Sequence, residues 1–180
     1  MIDLNLYTLT FCRLAIGFVF AWSFLAKVRD IRAFEQAIRG FDLIPSSFAR
    51  IAALLLLAAE ASAAILLFAG GSVLLPGFSL AILLLATFSA AIILSLVRNN
   101  RASCNCFGYS DKPLSRYELT RNIGLLLVSA AGLVLLLVRP EAGYEAMSAA
   151  ELGFLAAAAA AFSMLWISLR HIMALFVDTS

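Results

Sequence analysis

The chain has 180 residues, of which 63% are hydrophobic and 13% charged. So little charge excludes an ordinary soluble domain, and apolar residues gathered in continuous rather than alternating runs exclude a transmembrane β-barrel. The formal net charge of +2 says little by itself, and nothing in the chain points to nucleic acid.

The opening MIDLNLYTLTF carries an acid and no basic residue before Arg13. It therefore lacks the basic start of a cleavable signal peptide, and the first apolar segment is expected to stay as a span. A spanning helix needs about 20 predominantly apolar residues. Segments 8–28, 48–69, 77–97, 119–138 and 152–174 reach that length. Backbone in lipid must hydrogen-bond within its own helix. The expected fold is all-α, a polytopic transmembrane helix bundle forming a single integral membrane domain over 1–180.

The first span holds Cys12, Arg13 and Lys27. Cys12 is expected to pack as a small hydrophobe, and Lys27, at the inner end, to snorkel. In the segment 29–47, Ile31, Phe34 and Ile38 fall at helical spacing with Arg32, Glu35 and Arg39 on the other faces, which predicts a short amphipathic interfacial helix. Pro45 breaks it before the second span. That span carries Glu60 near its middle, where a carboxylate costs about 2.5 kcal/mol or more to insert. Glu60 needs a partner or a proton. If the first two spans end at the same outer level, Glu60 lies about 14 Å and Arg13 about 8 Å below it. The gap of about 6 Å is within an arginine's reach, so Arg13 is the expected partner; the alternative is a protonated Glu60 acting as a hydrogen-bond donor.

GGSVLLPG and RPEAGYEAMSA are short outer loops with little polar chemistry. Loop 98–118 contains Cys104 and Cys106. Pro113, Ser115 and Glu118 read as a capping box starting the fourth span, which puts Arg121 and Asn122 in its first two turns. The fifth span, with LAAAAAAF, is rich in the small residues that let membrane helices approach closely.

Basic residues accumulate on the cytoplasmic side. The two polar loops with their flanks, and the end of the fifth span, hold 11 of the 13 lysines and arginines. The expected topology has the N-terminus outside and the cysteine loop and C-terminus in the cytoplasm.

A C-x-C pair can close a small, strained and therefore oxidising disulfide, and Arg101 and Arg116 nearby would favour the reactive thiolate. Structural zinc usually needs four ligands. The one histidine, His171, and the third cysteine, Cys12, lie in other segments, so no metal site is expected. Two reduced thiols without a role remain the plain alternative. Arg121 is explained by the charge bias alone, or by facing a thiolate, a quinone oxygen or a lipid phosphate.

The run RLAIGFVFAWSFLAKVRD, then DLIP, Glu60, CNCFG, a spacer and KPLSRYELTRN resembles the MauE family of methylamine-utilisation membrane proteins, within the DoxX-like superfamily. The resemblance covers about residues 10–135, and the cysteine motif with its L-S-R and R-N is the most specific part. It implies a four-helix DoxX-like core plus a fifth C-terminal span, in a bacterial inner (plasma) membrane. The family's redox pair falls on Cys104 and Cys106, its basic element on Arg116, Arg121 and Asn122, and its intramembrane polar positions on Arg13, Lys27 and Glu60. It implies thiol–disulfide redox work in the maturation of a protein substrate, the methylamine dehydrogenase small subunit in the family's own setting, alongside a thioredoxin-like partner. It does not imply methylamine as a substrate here.

One cysteine would attack a partner disulfide and the other resolve the mixed disulfide. The cytosol is reducing, so a pair on that side would rest as a dithiol. Two further readings stand beside this one. The chain is a non-enzymatic assembly factor or small transporter centred on Arg13 and Glu60, or it is a membrane subunit of a quinone-linked sulfur-oxidising enzyme. Quinone is the one cofactor in view.

Overall fold

The computed structural model describes residues 4–98, 116–143 and 147–177. Six helices carry the architecture: α1 (Leu4–Val28), α2 (Ile31–Gly40), α3 (Ala49–Ala69), α4 (Leu74–Val97), α5 (Arg116–Val138) and α6 (Ala149–Val177). Short 3₁₀ turns at Ser46–Phe48, Gly71–Val73 and Pro140–Gly143 link some of them. No strand occurs among the described residues. All but α2 belong to stretches long and apolar enough to cross a membrane, so the chain is a multi-pass protein of the lipid bilayer.

Helices α1, α3, α4 and α5 form a ring in which α1 and α4 each pack against both α3 and α5. Helix α6 docks on α1 outside it. This is the four-helix core with an added C-terminal span expected from the sequence. Along α1, the buried Leu9, Cys12, Ile16, Val19, Phe20, Ser23 and Lys27 follow a helical period facing the ring's interior. Along α3, Ala53, Leu57, Glu60, Ala64 and Leu67 do the same. The faces of α3 and α4 turned away from the ring present Leu54, Leu55, Ile65 and Leu83 outward, as lipid requires. Cys12 is packed in the main core, as expected. The small residues of α6 serve packing too: Ala159 and Ser163 are buried against α1, and the Ser163 hydroxyl lies 3.0 Å from the Ala15 carbonyl oxygen.

Several boundaries differ from expectation. Helix α4 begins at Leu74 rather than 77, because Pro76 sits in the first turn, where no N–H bond is lost. Helix α1 begins at Leu4, and α6 at Ala149. The start of α6 has a capping box that the sequence reading missed. The Ser148 N–H donates to a Glu151 carboxylate oxygen at 2.9 Å, and the Glu151 N–H donates back to the Ser148 hydroxyl at 3.3 Å. The other Glu151 oxygen accepts from the Tyr7 hydroxyl, tying α6 to the N-terminal end of α1.

The amphipathic helix expected within 29–47 is α2. The Asp30 side chain caps it, accepting from the Ala33 N–H at 2.9 Å. Its apolar side lies on α3, with Phe34 packed against Ala53 and Leu57. The Ser115 half of the expected capping box lies outside the described residues; Glu118 is buried in the first turn of α5.

Candidate functional site

The offset between α1 and α3 decides which cation meets Glu60. Gly17 lies against the Phe68 ring, whose nearest carbon is 3.0 Å from where a Gly17 Cβ would stand. The helices run antiparallel, so Ser23 comes level with Glu60 and Arg13 with the end of α3. Helix α1 is thus shifted along α3 toward its own N-terminus. Its C-terminal end, five residues past Ser23, stops short of the start of α3, and α2 folds back beneath it.

Lys27, not Arg13, is therefore the partner of Glu60. Their side chains form an ion pair in which both are essentially sealed from solvent, at 1% and 0% exposure. Ser23 donates to both Glu60 oxygens at 3.3 Å. The Lys27 ammonium also sits over two aromatic faces, 4.9 Å from the Phe34 ring centre and 4.6 Å from that of Phe88. Four helices thus build one cage. Helix α1 supplies the ammonium and the serine, α3 the carboxylate, and α2 and α4 the rings. The ring faces attract the cation by their quadrupole, and the carboxylate neutralises it. Lys27 does not snorkel, because α1 ends short of the surface and Phe34 of α2 closes the route.

Arg13 is placed elsewhere. Its guanidinium lies against Gly70, at the C-terminal end of α3. There the helix dipole is negative and favours a cation. The expected Arg13–Glu60 pair assumed that the two spans end level, and the shift of α1 toward its N-terminus removes it.

Arg121 and Asn122 are where the sequence put them, in the first turns of α5, and both are buried. Asn122 lines a cavity of about 10 Å³ together with Ser23, Lys27, Glu60 and Phe88, a space on the scale of a single water. The Arg121 charge is near enough to act on Lys27, and its backbone carbonyl accepts from the Trp166 indole N–H at 3.2 Å. Gly124, one turn on, leaves room for that indole. The structure thus brings together Lys27, Glu60, Arg121 and Asn122 and sets Arg13 apart. Cys104, Cys106 and Arg101 lie outside the described residues. Arg116 begins α5.

Sequence reasoning missed Ser23, Phe34 and Phe88 as members of this site. The first two had a signal. Ser23 and Lys27 continue the buried period of α1, and Phe34 is the most buried apolar residue of α2. Phe88 stands in a uniformly apolar helix with nothing to mark it.

Five apolar helices, four of them in a ring around a buried lysine–glutamate pair, define a polytopic integral membrane protein with a charged centre between its spans. The family model described as methylamine utilisation protein MauE matches residues 5–136, and the chain belongs to that family. It is 29% identical over 159 residues to the methylamine utilization protein MauE of Paracoccus denitrificans, an alignment covering 87% of this chain and 83% of that protein. No solved structure matches it.

Proposed function

We propose that this chain is a methylamine-utilisation accessory protein of the bacterial inner membrane. In this reading it takes part in thiol–disulfide maturation of a protein partner, with Cys104 and Cys106 as the redox pair and a thioredoxin-like protein as collaborator. One observation beyond family membership supports the reading. Helix α5 follows the cysteine segment directly and opens with buried Glu118, Arg121 and Asn122, and Asn122 shares a cavity with the Lys27–Glu60 pair. A change of charge or strain in the cysteine segment would pass down one rigid helix into the charged centre. In the reaction, a thiolate of the pair attacks a partner disulfide, and the second cysteine resolves the mixed disulfide. The partner leaves as a dithiol, and the pair becomes the disulfide.

The test uses the Cys104→Ser/Cys106→Ser double variant alongside each single variant. The double variant is expected to abolish partner maturation, and a single variant to trap a mixed disulfide visible on a non-reducing gel. Full maturation with the double variant would sink the redox reading. An impermeant thiol reagent applied to intact cells tests the topology: labelling from outside would invert the cytoplasmic placement of this loop.

The full burial of Lys27 and Glu60 favours a second, non-enzymatic reading, in which the pair is the working part of an assembly factor or small transporter. Glu60→Gln would then abolish function while the double cysteine variant left it intact.

A further inference from the structure

A second cavity lies on the far side of the two rings that hold Lys27. It measures about 200 Å³ and is walled by α2, α3 and α4, with Phe34, Ile38, Leu56, Phe88, Ala91 and Ile92 among its lining. The wall is wholly apolar; even the Thr87 hydroxyl is turned away, donating to the Leu83 carbonyl. Leu43 at the cavity's edge is 40% exposed, and the neighbouring faces of α3 and α4 present Ile51, Leu55 and Leu83 outward to lipid. The chamber therefore adjoins the lipid-facing surface, where hydrocarbon chains are the surrounding medium.

Its edge is cationic. Arg98, just past the end of α4, donates from one Nη to the Asp42 carbonyl at 3.2 Å. That bond holds the guanidinium beside Phe41 and Leu43, both of which line the chamber. An arginine has five N–H donors in a planar fork suited to phosphate, and among the described residues the bond to Asp42 takes one of them. Arg39 follows Ile38, another lining residue. Around this end of the bundle, exposed Arg29, Arg32, Arg39, Arg50 and Arg98 outnumber the acids Asp30, Glu35 and Asp42 among the described residues.

We propose that this chamber is a binding site for an anionic phospholipid of the leaflet on the α2 side, with one acyl chain inside it and the headgroup phosphate on Arg98. The apolar wall selects hydrocarbon, and the arginine at its edge selects the anion. Because Phe34 and Phe88 are shared by the chamber and the Lys27 cage, the bound chain would buttress the rings that hold the ammonium. The inference is independent of the cysteine chemistry proposed above.

The experiment uses the full chain, delipidated in detergent and titrated with phosphatidylglycerol or with phosphatidylcholine of the same acyl chains. Native mass spectrometry and thermal unfolding are the readouts. Phosphatidylglycerol should bind one per chain and about five-fold more tightly, the effect of one arginine near a lipid headgroup. Arg98→Gln, at an exposed position, should bring the two lipids to equal affinity while keeping the weaker binding. Ala91→Leu, and more strongly Ala91→Phe, should fill the chamber and weaken both lipids. Glycerol phosphate without acyl chains should not bind measurably.

Equal affinity of the two lipids for the unaltered protein would overturn the proposal, as would binding that Ala91→Leu and Arg98→Gln both leave unchanged. Binding of glycerol phosphate as tightly as the lipid would replace it with a bare anion site. A neutral lipid-soluble molecule retained in place of phospholipid, or a second copy of the chain covering this face, would overturn it too.

Discussion

Arg13 and Lys27 stand on the same helix, fourteen residues and about 21 Å apart along its axis. Lys27 is 2% exposed and held by one carboxylate, itself bonded by Ser23, and two rings. Arg13 is half-buried, its Nε makes no hydrogen bond among the described residues, and its guanidinium rests against a glycine at the end of α3. Neither position follows from the residue alone. The shift of α1 along α3 toward its own N-terminus carries Arg13 to the rim of its neighbour and sets Lys27 at mid-span, where an ammonium must be paired to persist. One sliding coordinate between two helices thus assigns both cations.

The largest expected effect comes from breaking the deep pair. Lys27→Met leaves the Glu60 carboxylate buried without its cation, and Glu60→Leu strands the ammonium. Each should destabilise by about 3–5 kcal/mol, because the remaining charge has no water to turn to. The double variant Lys27→Met/Glu60→Leu should recover most of that loss, since two apolar side chains of similar length need no compensation. Unfolding in detergent by heat or denaturant measures this cycle. Single variants as stable as the unaltered protein would show that the pair is not sealed as described.

At the other end of α1, the same comparison is sharpened at Gly70. Its φ of 74° and ψ of −167° lie in a region that L side chains scarcely occupy. A Cβ there would also meet the Arg13 guanidinium. Gly70→Ala should cost about 1–3 kcal/mol. Adding Arg13→Ala removes the steric contact and leaves the backbone strain, so the double variant should stay nearly as destabilised as Gly70→Ala alone. Substantial recovery would mean that the arginine contact, rather than the backbone, sets the requirement for glycine.

Much of this was legible in the sequence. The five apolar blocks gave the spans because length and hydropathy are all that lipid demands of a helix. The amphipathic segment became α2 because Ile31, Phe34 and Ile38 keep helical spacing. The Arg13–Glu60 expectation failed because it compared depths from assumed common ends, and relative sliding of helices is not written in hydropathy. Helical phase did carry the answer. Cys12, Ile16, Val19, Ser23 and Lys27 share a stripe, Arg13 falls beside it, and Glu60 lies on the matching stripe of α3. Phe88 and the chamber behind it were beyond reach, because an apolar residue among apolar residues declares no partner until the fold places a cation over it.

The smallest expected effect tests how the cage holds its ammonium. Replacing Phe34 or Phe88 by Leu keeps an apolar side chain in place but removes the ring face. Each should cost about 0.5–2 kcal/mol, the range of a cation–ring contact from exposed to desolvated sites, with some lost packing added. Packing loss alone would give a similar figure, so the informative measurement is the coupling to Lys27. In the Lys27→Met/Glu60→Leu background no cation remains, and Phe88→Leu should then register only its packing share. A smaller cost there than in the unaltered protein isolates the ring–cation attraction. Equal costs in the two backgrounds would show that Phe88 serves Lys27 only as a wall, leaving the carboxylate as the sole group that makes its burial tolerable.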